Sequence, residues 1–290
     1  MAPTATKGPL ISASQLTKSY GSRKALDQVS FSVDSGCVVG LIGRNGAGKT
    51  SVVRAILGLI DCGGDLTVLG RNPFRARAAL MMEASFIADV AVMPSWLKVR
   101  QALDFVGGVH PRFQRERAVQ LIARAQISLN DRIAELSKGL RTQVHLALTM
   151  AVDAKLLVLD EPTLGLDPVV RRSFYELLVN EYLDESRTVV VTTNEVSELE
   201  YFLTHVIFLD QGRITLASDI PSLLGRYAVV EVPTDLMATA RAWGPVSERQ
   251  ILGGSLMYFE QPETRELESL GPVRTPTVTE LSVAILGMQS

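Results

Sequence analysis

The sequence predicts an α/β protein built on a parallel sheet, and three observations carry that prediction. A short apolar run at residues 38–42 leads into the glycine-rich segment 43–50, after which apolar residues recur at helical spacing. A second apolar run, at residues 156–159, ends in two carboxylates. Such runs alternate with helical stretches, for example residues 169–183, and this alternation is typical of parallel strands covered by helices.

Length and charge limit what the chain can be. Its 290 residues suffice for one large domain and a small appendage, because single cores stop growing at about 250 to 300 residues. The formal charge of -2 gives no electrostatic reason to expect nucleic acid as a partner. No apolar run approaches the roughly 20 residues of a membrane span, so we expect a cytoplasmic protein. Cys37 and Cys62 lack metal-ligand spacing, and we expect both to be reduced and without a function.

Residues 43–50, GRNGAGKT, fit the phosphate-binding loop of a Walker A motif. Glycines let successive backbone N–H groups face phosphates, and the following helix adds positive potential at its N-terminus. Lys49 can reach the outer phosphates, and the Thr50 hydroxyl can bind Mg²⁺. The motif therefore predicts a Mg-ATP site. The residues expected to bind the nucleotide in this stretch are Gly43, Asn45, Gly46, Ala47, Gly48, Lys49, Thr50 and Ser51.

Asp160 and Glu161 end the second apolar run, where a parallel strand would open at the same edge of the sheet as the phosphate loop. Asp160 can hold Mg²⁺ directly or through water. Glu161 can orient or deprotonate an attacking water, which makes it a catalytic candidate. The alternative is that the pair only caps the end of the strand.

Tyr20 is the aromatic residue of interest ahead of the phosphate loop. Strand-like stretches at residues 10–16 and 29–33 surround the polar turn 20–24, as in an antiparallel layer. An exposed ring in such a layer can stack on adenine, and stacking of a base on an aromatic ring contributes roughly 1 to 3 kcal/mol. The alternative for Tyr20 is ordinary packing at a strand end.

The stretch from residue 99 to residue 151 has helical periodicity and predicts a helical subdomain. We expect Pro94, Gly107, Gly108 and Pro111 to lie in its loops. After Pro221 short strands alternate with proline-bearing turns, and residues 278–286 are expected to form a helix.

Two further motifs resemble those of one family. Residues 136–141, LSKGLR, resemble the ABC ATPase signature, usually written LSGGQ, and residues 164–167, LGLD, resemble the D-loop of that family. The resemblance covers about residues 10–222. It implies a P-loop NTPase fold, an ABC nucleotide-binding domain with an antiparallel β layer and a helical subdomain at about residues 90–150. Residues 223–290 would then form a small C-terminal α+β accessory domain.

In that family the signature of one protomer closes over ATP that the other protomer holds. The resemblance therefore implies a homodimer or a heterodimer of ABC subunits, in which Ser137 and the backbone of Gly139 bind the γ-phosphate in trans. The alternative for Ser137 is a helix cap, which would supply the same donors.

The sequence departs from the family at two positions. Where the family has a glutamine that senses γ-phosphate and Mg²⁺, this chain has Asp89, which can bind the metal but cannot donate a hydrogen bond. Where the family has a histidine that contacts γ-phosphate, the chain has Asn194. Asn194 can donate a neutral hydrogen bond but cannot become cationic, so we expect ATP binding with slow hydrolysis.

Four stretches resemble bacterial exporter ATPases that pair with a separate integral membrane permease: the degenerate signature, residues 110–114 (HPRFQ), residues 197–200 (SELE) and residues 276–281 (PTVTEL). The resemblance implies a permease partner and a location on the cytoplasmic face of the cell membrane. The permease is expected to dock on residues 89–97, where Met93, Pro94 and Trp96 would form an apolar hot spot. The alternative is that Trp96 fills the core of the helical subdomain. The alternative function is a non-transport ABC nucleotide switch that dimerises with little hydrolysis.

Overall fold

The computed structural model describes residues 8–88, 93–184, 186–260 and 264–287. The strands are β1 (Ile11–Tyr20), β2 (Arg23–Val33), β3 (Val38–Ile42), β4 (Gly63–Val68), β5 (Ala84–Ile87), β6 (Leu156–Asp160), β7 (Thr188–Thr193), β8 (His205–Asp210), β9 (Arg213–Asp219), β10 (Tyr227–Pro233), β11 (Ser247–Ile251), β12 (Gly254–Glu260) and β13 (Val273–Arg274). The helices are α1 (Lys49–Ile56), α2 (Arg77–Met81), α3 (Val99–Val109), α4 (Arg115–Arg124), α5 (Lys138–Met150), α6 (Pro168–Glu181), α7 (Ile220–Arg226), α8 (Met237–Ala242), α9 (Thr264–Leu267) and α10 (Val278–Leu286).

The central sheet has the order β5-β6-β7-β3-β8-β9, and only its edge strand β9 runs antiparallel to its neighbour. Strands β3, β6 and β7 are buried along their whole length, which explains their apolar sequences. Asp160 pairs with Thr192, and Ile42 pairs with Thr193. The segments that follow β3, β6 and β7 therefore open at the same edge of the sheet.

A second sheet, ordered β2-β1-β4, forms the antiparallel layer. A core of apolar side chains joins it to the central sheet and to α1. Strands β1 and β2 extend beyond the predicted stretches, because the polar residues between them continue the hairpin as far as the pair formed by Tyr20 and Arg23. Both side chains therefore lie at the tip of this hairpin.

The helical subdomain contains α3, α4 and α5, whose apolar faces share one core with the central sheet. The prediction that Gly107 and Gly108 lie in a loop is wrong, because both belong to α3. A Cβ atom at Gly107 would lie 3.4 Å from the ring of Phe113, which is ordinary van der Waals contact, and one at Gly108 would meet nothing within 4 Å, so neither position requires glycine. A glycine inside a helix costs only about 1 kcal/mol, which packing can offset.

The C-terminal segment forms a third sheet, ordered β11-β12-β10-β13, with helix α10 at the predicted residues. One group of its side chains makes a small core of its own, whereas Tyr227, Tyr258 and Leu281 join the main core. Glu200 accepts hydrogen bonds from the backbone N–H groups of Val278 and Thr279 at 3.2 Å. The segment thus packs on the rest of the chain, and its division at residue 223 stays a prediction. No helix in the described ranges has the length and apolarity needed to cross a membrane.

Candidate nucleotide-binding site

The loop between β3 and α1 has a backbone that requires glycine. Gly46 and Gly48 have φ angles of +83° and +112°, which lie in the region that favours glycine. A Cβ atom at Gly48 would lie 2.4 Å from the carbonyl oxygen of Ala25, and one at Gly43 would lie 2.3 Å from that of Leu209. The loop is therefore pressed between the antiparallel layer and the central sheet, which holds its N–H groups in place.

Lys49 carries its positive charge into the interior of the site, where only 5% of the residue is exposed. Its Nζ atom donates to the carbonyl oxygen of Gly43 at 2.7 Å and lies 3.0 Å from Oε1 of Glu161. A buried ammonium is stable only when it is paired and hydrogen-bonded, and these two oxygens meet that need. The pair brings the Walker lysine and the candidate base together.

The two acidic residues at the end of β6 are held by the neighbouring strand β7, Asp160 through its carboxylate and Glu161 through its backbone. The Thr192 hydroxyl donates to Oδ1 of the buried Asp160 at 2.6 Å, and the backbone N–H of Glu161 donates to that hydroxyl at 2.9 Å. Glu161 has a φ angle of +45°, which is uncommon for a residue with a side chain. Strain of this kind clusters at functional sites, and it is consistent with the role predicted for Glu161.

Loop and carboxylates face one cavity with a volume of about 510 Å³. Nine of the residues singled out in the sequence line it, namely Tyr20, Asn45, Gly46, Gly48, Lys49, Thr50, Ser51, Asp160 and Glu161. Gly43 and Ala47 shape the loop without lining the cavity. Tyr20 is 45% exposed, so its ring is available to a ligand.

Arg23 is a charged residue of this cavity that no sequence motif identifies. Its Nη2 atom donates to the carbonyl oxygen of Gly46 at 2.6 Å. Its position in the polar turn after Tyr20 was the one feature of the sequence that could have identified it. That position does not reveal the contact, which depends on how the hairpin packs on the phosphate-binding loop. Arg23 gives the cavity a second cation beside Lys49.

The Thr50 hydroxyl and the Asp160 carboxylate line the same cavity and are oxygen donors of the type that Mg²⁺ prefers. Magnesium is usually held by one or two carboxylates together with phosphate oxygens and water. The donors present therefore fit a Mg²⁺ ion that arrives with a nucleotide. Asp89, the third predicted metal ligand and a predicted catalytic residue, lies outside the described residues.

The signature residues lie away from this cavity, at the N-terminus of α5. The Ser137 side chain caps that helix by accepting from the N–H of Leu140 at 3.2 Å. Lys138, in place of the first glycine of the family signature, donates from Nζ to the carbonyl oxygen of Leu164 at 2.7 Å. A Cβ atom at Gly139 would lie 3.2 Å from Val170 on α6. The signature is thus hydrogen-bonded to the D-loop of its own chain.

Asn194 follows β7 and lines a much smaller cavity, of about 10 Å³, together with Glu161, Thr163 and Arg171. The Thr163 hydroxyl forms a hydrogen bond of 3.2 Å with the Tyr175 hydroxyl, whose pKa is raised by burial to about 12. Tyr175 therefore stays protonated at neutral pH and supports the segment behind Glu161. Asn194 and Glu161 face a common space, and Glu161 also lines the main cavity, whereas Asn194 does not.

Trp96 is 70% exposed. The alternative that it fills the core of the helical subdomain is therefore wrong. Met93 is partly buried against that core, whereas Pro94 is exposed.

Comparison with known proteins agrees with this architecture. The family model described as ABC transporter matches residues 26–164. The chain is 31% identical over 275 residues to a Nod factor export ATP-binding protein I of Mesorhizobium japonicum, covering 88% of this chain and 77% of that protein. It is 29% identical over 216 residues to the bacitracin transport ATP-binding protein BcrA of Bacillus licheniformis, covering 73% and 70%. A solved ATP-binding subunit of an ABC transporter superposes with a TM-score of 0.67 at 24% identity, covering 74% of this chain and 91% of that one.

The fold and the similarity define an ATP-binding subunit of the ABC transporter type. The chain belongs to the family of ABC transporter ATP-binding proteins, and its relatives include exporter-type members.

Proposed function

We propose that this protein is the ATPase subunit of an exporter, which binds and hydrolyses ATP to drive a separate membrane permease. The observation that carries the proposal is the contact between Lys49 and Glu161 in the cavity that Thr50 and Asp160 also line. A phosphate-binding cation, two metal-binding oxygens and a general base in one place are the components that nucleotide hydrolysis needs.

In this proposal each group of the cavity has a role in holding Mg-ATP. Tyr20 stacks on adenine, and the N-terminus of α1 together with Lys49 and Arg23 binds the phosphates. When bound, Mg²⁺ would neutralise phosphate charge, and Thr50 and Asp160 are the residues that would hold it. The phosphates compete with the Glu161 carboxylate for Lys49, so binding of ATP frees Glu161 to orient water.

A single chain is incomplete for this chemistry, because Ser137 and Gly139 do not line its own cavity. We propose that they close over the ATP of a partner subunit, in a homodimer or a heterodimer. The capped N-terminus of α5 then supplies N–H donors to the γ-phosphate. Nucleotide binding thereby drives dimerisation, and the movement of the two subunits can be transmitted to a permease.

We propose that hydrolysis is slow because Asn194 cannot carry positive charge or relay a proton. A positioned acid or base is worth roughly 10² to 10⁴ in rate. Asp89 would also slow hydrolysis, because it would add a negative charge beside the phosphates.

Replacing Asn194 with histidine tests this part of the proposal. The Asn194→His variant should turn over ATP at least about tenfold faster than wild type, with little change in ATP affinity, because only the missing proton-carrying group is restored. Steady-state phosphate release and nucleotide titration measure the two quantities. An unchanged or lower turnover would contradict the assignment of Asn194.

The exporter and permease parts of the proposal are supported by the names of the relatives, which are export and antibiotic transport ATP-binding proteins. The protein would then lie on the cytoplasmic face of the cell membrane, held there by its permease. The alternative, a nucleotide switch without transport, is favoured by Asn194. Wild-type turnover that is absent, and that Glu161→Gln leaves unchanged, would support this alternative.

A further inference from the structure

Arg171 on α6 joins two segments that flank the candidate base. Its Nε atom donates to the carbonyl oxygen of Leu166 in the D-loop at 2.8 Å. Its Nη1 atom forms an ion pair with Glu195, and Nε lies 3.9 Å from Oε2 of Glu198. Only 16% of the Arg171 side chain is exposed, whereas the Glu195 side chain is 52% exposed, so the arginine is shielded from solvent and its carboxylate partner is not. We propose that Arg171 is a positioning residue for ATP hydrolysis.

The small cavity connects the contacts of Arg171 to the candidate base Glu161. Arg171, Glu161 and Asn194 all line a space of about 10 Å³, which is close to the room that one water molecule needs. Glu195 comes directly after Asn194, and its backbone N–H and C=O groups both bond the Thr193 hydroxyl, at 2.9 and 2.8 Å. By holding the Glu195 side chain, Arg171 fixes the direction in which Asn194 faces Glu161.

Arginine suits this task because its planar guanidinium offers several N–H donors at fixed angles. The Nε–H group donates to the backbone of the D-loop, and Nη1 meets the Glu195 carboxylate in the segment after β7. Lysine offers a point charge on a flexible stem and cannot hold both segments in one geometry. This role rests on the proposed hydrolysis of ATP, and it adds a residue that touches neither nucleotide nor metal.

The neighbouring Arg172 provides a matched control. Its side chain is 78% exposed and pairs with Glu176 one helical turn away, so it has the same charge on the same helix without the network. We expect Arg171→Ala to lower kcat about 10- to 100-fold, since a small misplacement of reacting groups can cost about 100-fold. The KM for ATP and the affinity for nucleotide should stay within about twofold. Arg172→Ala should match wild type, and Arg171→Lys should lie between.

A double substitution separates positioning from a general loss of stability. In a Glu195→Gln, Glu198→Gln background, Arg171→Ala should lower kcat by no more than about twofold further, because the partners through which it acts are already neutral. A full additional loss in that background would overturn the proposal. So would an unchanged kcat in Arg171→Ala, or a fall in kcat that is matched by an equal fall in Arg172→Ala.

Hydrogen exchange gives a readout that does not depend on turnover. The amides of Leu199 and Glu200 donate to the carbonyl oxygen of Val196 at 3.0 and 2.9 Å, within the segment that Arg171 holds. Their exchange should be about tenfold faster in Arg171→Ala and unchanged in Arg172→Ala. Absence of wild-type turnover would contradict the proposed function alone, whereas equal exchange in all three proteins would overturn the role of Arg171.

Discussion

His145 is a partly buried histidine on α5, with its Nε2 atom inside the protein, and it takes no part in the candidate site. The described part of the chain offers no hydrogen-bond partner to its Nε2 atom. Burial lowers the pKa of His145 from 6.5 to about 4, because the charged imidazolium would be poorly solvated. The unfolded chain therefore binds a proton at this residue between about pH 6.5 and pH 4, where the folded chain does not.

This difference predicts a stability effect with a defined sign. As the pH falls from 6.5 to 4, protonation of the unfolded chain should remove up to about 3 kcal/mol from the free energy of unfolding. His145→Leu should lack this loss, so its free energy of unfolding should fall less than that of wild type over the same interval. Denaturant unfolding at several pH values measures the difference. Parallel curves for the two proteins between pH 6.5 and 4 would contradict the prediction.

The residues of the site differ in how far the sequence could predict them. The glycines and Lys49 follow one another in the chain, so local spacing alone identifies them. Arg23 could not be found in this way, because its contact with Gly46 arises when a hairpin closes over the loop. The same holds for Arg171, whose partners Leu166 and Glu195 come from two different segments.

Among the elements, strands β3 and β6 of the central sheet were the most predictable, because burial on both faces demands continuous apolar runs. The hairpin of β1 and β2 exceeds its prediction, since its polar end has no such pattern. Helix α3 contradicts the local signal, because burial of Val99, Ala102 and Leu103 on its apolar face offsets the preference of its two glycines for a loop. Tertiary contacts of this kind are not visible in the chain order.

The segment before α3 carries the exposed ring proposed to meet a permease. Trp96→Ala should reduce recovery of the membrane partner with the protein at least about tenfold, because a buried aromatic anchor commonly contributes more than 1 kcal/mol to binding. The control is Trp243→Ala, which removes the other tryptophan of the chain, 41% exposed in the C-terminal segment. Both variants should keep wild-type helix content. Equal recovery with both variants would contradict docking at Trp96.

At the scale of the whole molecule, the described residues form three apolar cores, and the largest of them extends from the helical subdomain to α10. The sequence predicted a change of secondary-structure pattern after Pro221, but it could not predict that Leu281 packs into this core. Periodicity shows which face of a helix is apolar, but it does not show what that face packs against. The contact of Glu200 with the start of α10 was equally unpredictable, because it joins two segments that are far apart in the sequence.

At the same scale, we predict that ATP joins two such subunits through a shared site. Glu161→Gln should keep the shape of the site while removing the general base and the charge that holds Lys49. ATP would then bind without being consumed, and the closed dimer would persist. Adding Lys49→Ala to the same background provides the control, because it removes the cation that holds the outer phosphates.

The most direct test is the solution mass of Glu161→Gln, measured with and without Mg-ATP. If the partner of this subunit is a second copy of the chain, the variant alone suffices; otherwise the ABC subunit that copurifies with it is included. We predict a monomer without nucleotide, a dimer with Mg-ATP, and no dimer once Lys49→Ala is added. Subunits that bind Mg-ATP to saturation and remain monomeric would contradict the shared site.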